Sequence, residues 1–234
     1  MFGRLNNKYA AFKKYASYDR EPFFEIAKKY TIGREKLLDI GPGVGAFADS
    51  LGRDDICLVE GNPKSVAKLK ARYQNVVHAR MPERLPFDDS SFDFVHCSHI
   101  IEHLPHSDTY LMLHEIDRLL RGGGVLVISG PTLYDGFYND FSHVKPYNPA
   151  VFIKYLVRGD DRAATRSMVS GNYEQLELVW RHTFTQMNVP VWGRKERPSL
   201  FNKLLYGTHL WLRKFGFGHY ERSGFTLVLR KKSD

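Results

Sequence analysis

Apolar residues recur along this chain in two periods. Leu37-Leu38-x-Ile40, Ile56-Cys57-Leu58-Val59, Phe92-x-Phe94-Val95-x-Cys97 and Val125-Leu126-Val127-Ile128 are short runs of buried-strand type. Asn75 to Ala79 predicts a further short strand, and Leu176 to Phe184 and Gly224 to Arg230 predict the sixth and seventh. Helical spacing fills the gaps between them. Val44, Phe47, Ala48 and Leu51 share one face. A helix follows the Gly61-Asn62-Pro63 turn through Leu69 and Tyr73, and Leu111, Leu113, Ile116, Leu119 and Leu120 mark the next. Arg121-Gly122-Gly123-Gly124 predicts the cap that ends that helix, and Pro149 to Val157 predicts another helix. Strands that alternate with helices predict an α/β fold, a three-layer sandwich with helices on both faces of a mostly parallel sheet.

The amino-terminal residues 1–32 read as helical. Tyr9, Phe12, Lys13 and Ala16 follow helical spacing, as do Phe23, Phe24, Ile26, Ala27 and Tyr30 after Pro22. Two roles are open for them: a helix pair packed on one end of the sheet, or a lid carrying Tyr15, Tyr18 and Arg20. No internal repeats or low-complexity tracts stand out, and the expectation is one domain over 1–234. Segments 131–175 and 191–220 are additions to the alternating core.

The first strand runs into Asp39-Ile40-Gly41-Pro42-Gly43-Val44-Gly45. Glycine admits positive φ and lets a ligand approach where a Cβ would stand. The helix that follows offers unpaired N–H groups toward whatever lies over the turn. The dinucleotide fingerprint is G-x-G-x-x-G, aimed at a pyrophosphate. Here an acid precedes G-x-G-x-G, which repels a diphosphate and suits a cationic ligand. The second strand ends in Glu60, about where a carboxylate accepts both ribose hydroxyls in related folds. An ordinary βα turn is the plain alternative.

With Asp39, the three glycines and Glu60, the chain resembles the class I S-adenosylmethionine-dependent methyltransferases. Leu85-Pro86-Phe87 followed by Ser91-Phe92-Asp93 resembles the branch that modifies small molecules and lipids. The resemblance implies a Rossmann-like seven-stranded sheet with the last strand antiparallel. It implies S-adenosylmethionine as cofactor and S-adenosylhomocysteine as product. It places the methionine part of the cofactor over Asp39, Gly41, Pro42, Gly43 and Gly45, and the ribose on Glu60, Gly61 and Asn62. Ser98 and His99 fall beside the sulfonium, and Arg20 near the cofactor carboxylate. The family often sets an acid against the adenine amino group, where this chain has Met81; backbone groups of Arg80 and Met81 are the expected substitutes.

The loop after the fifth strand, Asp140-Phe141-Ser142-His143-Val144-Lys145-Pro146-Tyr147, is where the resemblance places the acceptor. An alcohol acceptor benefits from a general base, and histidine suits that near neutral pH. His143, oriented by Asp140, and His103 are the candidates, each with a structural or solvent-exposed histidine as the alternative. His99-Ile100-Ile101-Glu102-His103 also matches an inverted zinc-protease pattern. That pattern requires a helix, whereas here a strand ends just before it and Pro105 follows. The same segment resembles that of ubiquinone-pathway O-methyltransferases, so His99, Glu102 and His103 form a weaker metal alternative to a metal-free site.

Composition refines the picture. The net charge of +8 admits anionic partners without choosing among them. Arg158, Arg162 and Arg166 suit either an acidic sugar or a solvated face. Base amine methylation is disfavoured, because Ser98-His99-Ile100-Ile101 replaces the Asn/Asp-Pro-Pro-aromatic signature. RNA methylation and a non-catalytic partner subunit are the remaining rivals, and the intact pocket residues argue against the second. Within the enzyme reading the expected acceptor is a hydroxyl on a glycan, anionic or lipid-linked, with a natural-product or quinone-like small molecule as the alternative. The loop and the 191–220 insert also resemble methyltransferases associated with bacterial cell-envelope polysaccharides. Leu200, Phe201, Leu204, Leu205, Trp211, Leu212 and Phe215, interleaved with Lys203, Arg213 and Lys214, make 199–217 amphipathic and basic. It suits a membrane surface, a protein partner or the chain's own core. Cys57 and Cys97 fall in buried strands, so a disulfide framework is not expected. No apolar run reaches the ~20 residues of a membrane span, and the first residues carry no signal-type apolar region. A cytoplasmic setting follows, at the inner membrane face if 199–217 binds lipid.

Overall fold

The computed structural model describes residues 14–17, 19–158, 166–184, 204, 207, 208, 211 and 220–233. The expected helix over 4–13, Tyr18, Arg162 and nearly all of 191–220 lie outside the described residues. Of that last segment, Leu204 and Trp211 are described and are exposed.

Seven strands form one sheet: β1 (Leu37–Ile40), β2 (Cys57–Glu60), β3 (Val76–His78), β4 (Phe92–Ser98), β5 (Leu120–Pro131), β6 (Tyr173–Phe184) and β7 (Tyr220–Lys231). Their order is β3-β2-β1-β4-β5-β7-β6. The first five pair in parallel, and β7 runs antiparallel to both β5 and β6. The helices are α1 (Glu21–Lys29), α2 (Ala46–Leu51), α3 (Pro63–Lys70), α4 (His106–Leu119) and α5 (Pro149–Ile153), with 3-10 turns at Ile101–His103 and Phe137–Asn139.

Alternation along the strands divides the core in two. Leu38, Ile40, Val95, Cys97, Leu126 and Ile128 face α4, whose Met112, Leu113, Ile116 and Leu119 cover them. Leu37, Phe94, Val125 and Val127 face the other way, against Phe23, Phe24, Ile26 and Ala27 of α1 and Phe47 and Ala48 of α2. Each such side chain taken fully out of water contributes about 1.5–3 kcal/mol. The same alternation sends Asp39 and His96 to the α1/α2 face.

Three expectations need correction. Val44 is 69% exposed and lies before α2, because the glycine turn continues through Gly45. Arg121 to Gly124 is no helix cap: the chain enters β5 directly at Leu120, and a Cβ on Gly124 would stand 2.8 Å from Leu120. The helix from Pro149 stays α-helical only to Ile153 and continues as one wider π-turn, Lys154–Arg158.

Candidate active site

The carboxyl ends of β1, β2 and β4 open onto a cavity of about 540 Å³, the expected place for a ligand in a parallel α/β sheet. It is lined by Gly41, Gly43, Glu60, Gly61, Asn62, Arg80, Met81 and His99, all expected from sequence, and by Ile100, His103 and Leu104. Gly43 has φ +60, and a Cβ there would meet no protein atom within 4 Å. It would instead project into open space beside the cavity. Gly45 has φ +86 and is pressed by Leu69 and Tyr73, so its role is to let the turn close.

Glu60 is held in place before any ligand arrives. Its Oε2 accepts the Gly43 N–H at 3.0 Å and its Oε1 the Asn62 N–H at 2.8 Å. A carboxylate has about four acceptor sites, so two remain for vicinal hydroxyls. A turn that lines the cavity with Gly41 and Gly43, with a braced, partly exposed carboxylate beside it, fits the ribose and methionine parts of S-adenosylmethionine. Met81 is 5% exposed and lines the cavity where an adenine ring is expected.

Five residues expected at the cofactor do not line this cavity. Asp39 is 1% exposed and lies behind the turn, its Oδ1 2.7 Å from His96 Nδ1, while Oδ2 has no partner among the described residues. Pro42 and Gly45 shape the turn without lining the cavity. Ser98 and Arg20 line a second, small closed cavity, which shares only His99 with the first.

Arg181 on β6 also lines this second cavity; no sequence motif marks it. Its guanidinium lies 4.3 Å above the Phe23 ring and 3.4 Å from His99 Nε2, and it bonds the Asp19 carbonyl at 3.5 Å. Burial, aided by the neighbouring Arg20, pushes its pKa down to about 10. Neither arginine has a carboxylate within ion-pair distance among the described residues. Two guanidinium groups at one cavity, one largely buried, favour an anionic group beside them.

The acceptor-side histidines converge. His103 and His143 have ring centroids 5.1 Å apart. Asp140 does not orient His143: its Oδ1 accepts the N–H and hydroxyl of Ser142 at 2.8 and 2.6 Å. The Phe137 carbonyl holds His143 Nδ1 at 2.7 Å instead. His99, expected in a metal set with Glu102 and His103, has both ring nitrogens engaged, Nδ1 by Glu102 Oε1 at 2.9 Å and Nε2 by Arg181. The set that meets is Glu102, His103 and His143. Arg166 lies 5.2 Å over the Tyr110 ring, away from this cluster.

Residues 38–128 match the family model described as a methyltransferase domain. Over that segment the chain is similar to S-adenosylmethionine-dependent methyltransferases, and its sheet has the class I methyltransferase fold. It is similar to a SAM-dependent methyltransferase from Archaeoglobus fulgidus, at 19% identity over 95% of this chain and 99% of that one, with a TM-score of 0.58. A candidate methyltransferase from Bacillus halodurans gives 18% identity, 93% and 100% coverage and a TM-score of 0.60. In sequence, 103 residues are 38% identical to the Arabidopsis thaliana protein named probable pectin methyltransferase QUA3, covering 40% of this chain. The match spans only 16% of that relative's length.

Proposed function

We propose that this protein transfers the methyl group of S-adenosylmethionine to a hydroxyl oxygen of an anionic glycan, free or lipid-linked. The observation that carries the reading is the pair of cavities on either side of His99, which lines both: one with the braced Glu60 and the glycine turn, the other with Arg20 and Arg181. A cationic cofactor suits the first; the second is only about 10 Å³, and it is the guanidinium groups beside it that suit an anionic acceptor group. Tyr138 and Phe141 are exposed on the loop after β5, where an aromatic face suits the apolar side of a sugar ring. The similarity to a protein named for pectin methylation supports a glycan.

S-adenosylmethionine supplies an electrophilic methyl on a sulfonium, so the protein's work is to position the acceptor and exclude water. As the new C–O bond forms, the hydroxyl proton passes, in the ion-free site, to the Nε2 lone pair of His103 or His143. Both rings have Nδ1 held by a carbonyl, at Ser142 and Phe137, which leaves Nε2 free to receive it. Membrane contact is assigned to 199–217, on the cytoplasmic side; no helix among the described residues is long and apolar enough to cross a membrane.

The test begins with calorimetry of S-adenosylhomocysteine. Wild type should bind and Glu60→Ala should not; silence in wild type ends the enzyme reading. Labelled methyl transfer is then screened against acidic and neutral glycans. Arg181→Met should raise KM for an acidic acceptor at least tenfold and leave cofactor binding within twofold. Equal transfer to neutral and acidic glycans removes the anionic acceptor. Liposome flotation of the full chain against a deletion of 199–217 tests the membrane assignment, and equal flotation rejects it.

A further inference from the structure

We propose that Glu102, His103 and His143 bind one divalent cation of the first transition row. The chemistry given to the cation rests on the methyltransferase reading above; the geometry of the site does not. Glu102 and His103 come from the 3-10 turn after β4, and His143 from the loop after β5. One ligand atom from each lies within 4.8 Å of the other two.

The hydrogen bonds around these side chains prepare them as ligands. His103 Nδ1 is 3.1 Å from the Ser142 carbonyl and His143 Nδ1 is 2.7 Å from that of Phe137. A carbonyl can only accept, so Nδ1 carries the hydrogen in both rings and Nε2 is left as a lone pair. An imidazole anchored at Nδ1–H and open at Nε2 is the form that ligates metals.

Glu102 supplies the negative charge. Its side chain is 1% exposed. Oε1 is bonded to His99, while Oε2 is buried with no hydrogen-bond partner among the described residues. A buried carboxylate with an unused oxygen is costly unless a cation or donor meets it. His99, whose own nitrogens are both engaged, acts as the outer partner that fixes the carboxylate.

Two imidazoles and one carboxylate favour Zn²⁺ or Mn²⁺ over Mg²⁺ or Ca²⁺, which prefer oxygen. Metal–ligand bonds of ~2.0–2.2 Å place ligand atoms ~3 Å apart, so the three must draw in by about an ångström or two. His103 is exposed and His143 sits on a loop, so both have room to move. Three protein ligands leave at least one coordination position open, next to the cavity that His103 lines. A cation there would lower the pKa of an acceptor hydroxyl at the open position and so favour its release of a proton to water. With the cation seated, the two Nε2 atoms are ligands and no longer receive that proton.

The experiment uses the full, tag-free chain stripped with EDTA and titrated with ZnCl₂ by calorimetry and with MnCl₂ by EPR. One ion per chain is expected. His143→Ala and Glu102→Gln should each weaken it at least tenfold. Their thermal melts identify any variant that fails to fold, and His143→Gln serves as the loop substitution if alanine does. No stoichiometric ion, or wild-type affinity in a folded His143→Ala, overturns the proposal. S-adenosylhomocysteine binding is measured on the same samples. If that ligand binds and no ion does, the metal site is rejected and the methyltransferase reading is spared; if the ion binds and the ligand does not, the reading is rejected and the site is spared.

Discussion

Asp39 and His96 occupy matched positions on β1 and β4, and their side chains meet at 2.7 Å in the interior. Phe47 stacks on the imidazole at 3.9 Å between centroids, which seals the pair from solvent. The acid that opens the glycine motif therefore supports the turn from behind. Asp39→Ala should cost about 3–5 kcal/mol in urea unfolding, because a buried polar partner is left alone. Asp39→Asn keeps the shape and should cost about 1–2 kcal/mol. If Asp39→Asn abolishes S-adenosylhomocysteine binding with stability unmoved, the side chain touches the cofactor and this account of it fails.

Gly43 separates folding from binding. A Cβ there meets no protein atom but stands where the ligand would lie, at φ +60. Gly43→Ala should lose about 1–2 kcal/mol from the left-handed backbone. It should weaken S-adenosylhomocysteine at least tenfold in calorimetry. Unchanged affinity in a folded variant would move the ligand away from the turn.

Asp93 gives the fold an acid limit. Its Oδ2 accepts the N–H groups of Glu35 and Lys36 at 3.0 and 2.9 Å, and Arg121 pairs with Oδ1. Burial pushes the carboxyl upward, but those N–H bonds and the charges of Arg121 and Arg34 outweigh it, so its pKa lies below the ordinary 3.8. The folded state then binds fewer protons than the unfolded one. Stability from this group is complete above the unfolded pKa and is lost as pH falls through the folded value. Melting temperatures between pH 6 and pH 2 should fall less steeply in Asp93→Asn than in wild type; parallel curves would show that Asp93 is not the sensor.

The two thiols should be inert in the folded protein. Burial pushes Cys57 up to about 11 and Cys97 well above its usual value. Iodoacetamide at pH 8 should label neither in buffer and both in guanidinium, followed by mass spectrometry. Rapid labelling of native Cys97 would mean that β4 opens far more readily than its burial implies.

What the sequence revealed depended on how local each feature is. The strand, glycine turn and Glu60 lie within one βαβ unit, where spacing alone carries the geometry. His143 shows the opposite case. Asp140 is its nearest acid in sequence, yet that carboxylate closes a turn on Ser142, and a backbone carbonyl at Phe137 does the orienting. A carbonyl belongs to every residue, so no side-chain pattern could have pointed to it. Arg181 was hidden for another reason. Its meeting with His99 joins residues 82 positions apart and depends on how β6 is placed in the sheet. Gly122 to Gly124 misled because glycine serves a helix end and a tightly packed strand equally well.

Strand β7 follows β6 in sequence yet lies between β5 and β6 in the sheet. Phe225 and Thr226 of this strand, with Arg181 of β6, wall the cavity that holds the two arginines. During synthesis the glycine turn and Glu60 can take shape while β7 is still inside the ribosome, but that wall cannot. The glycine turn and Glu60 thus come from the first βαβ unit of the chain, whereas the arginine-lined cavity is walled by its last two strands.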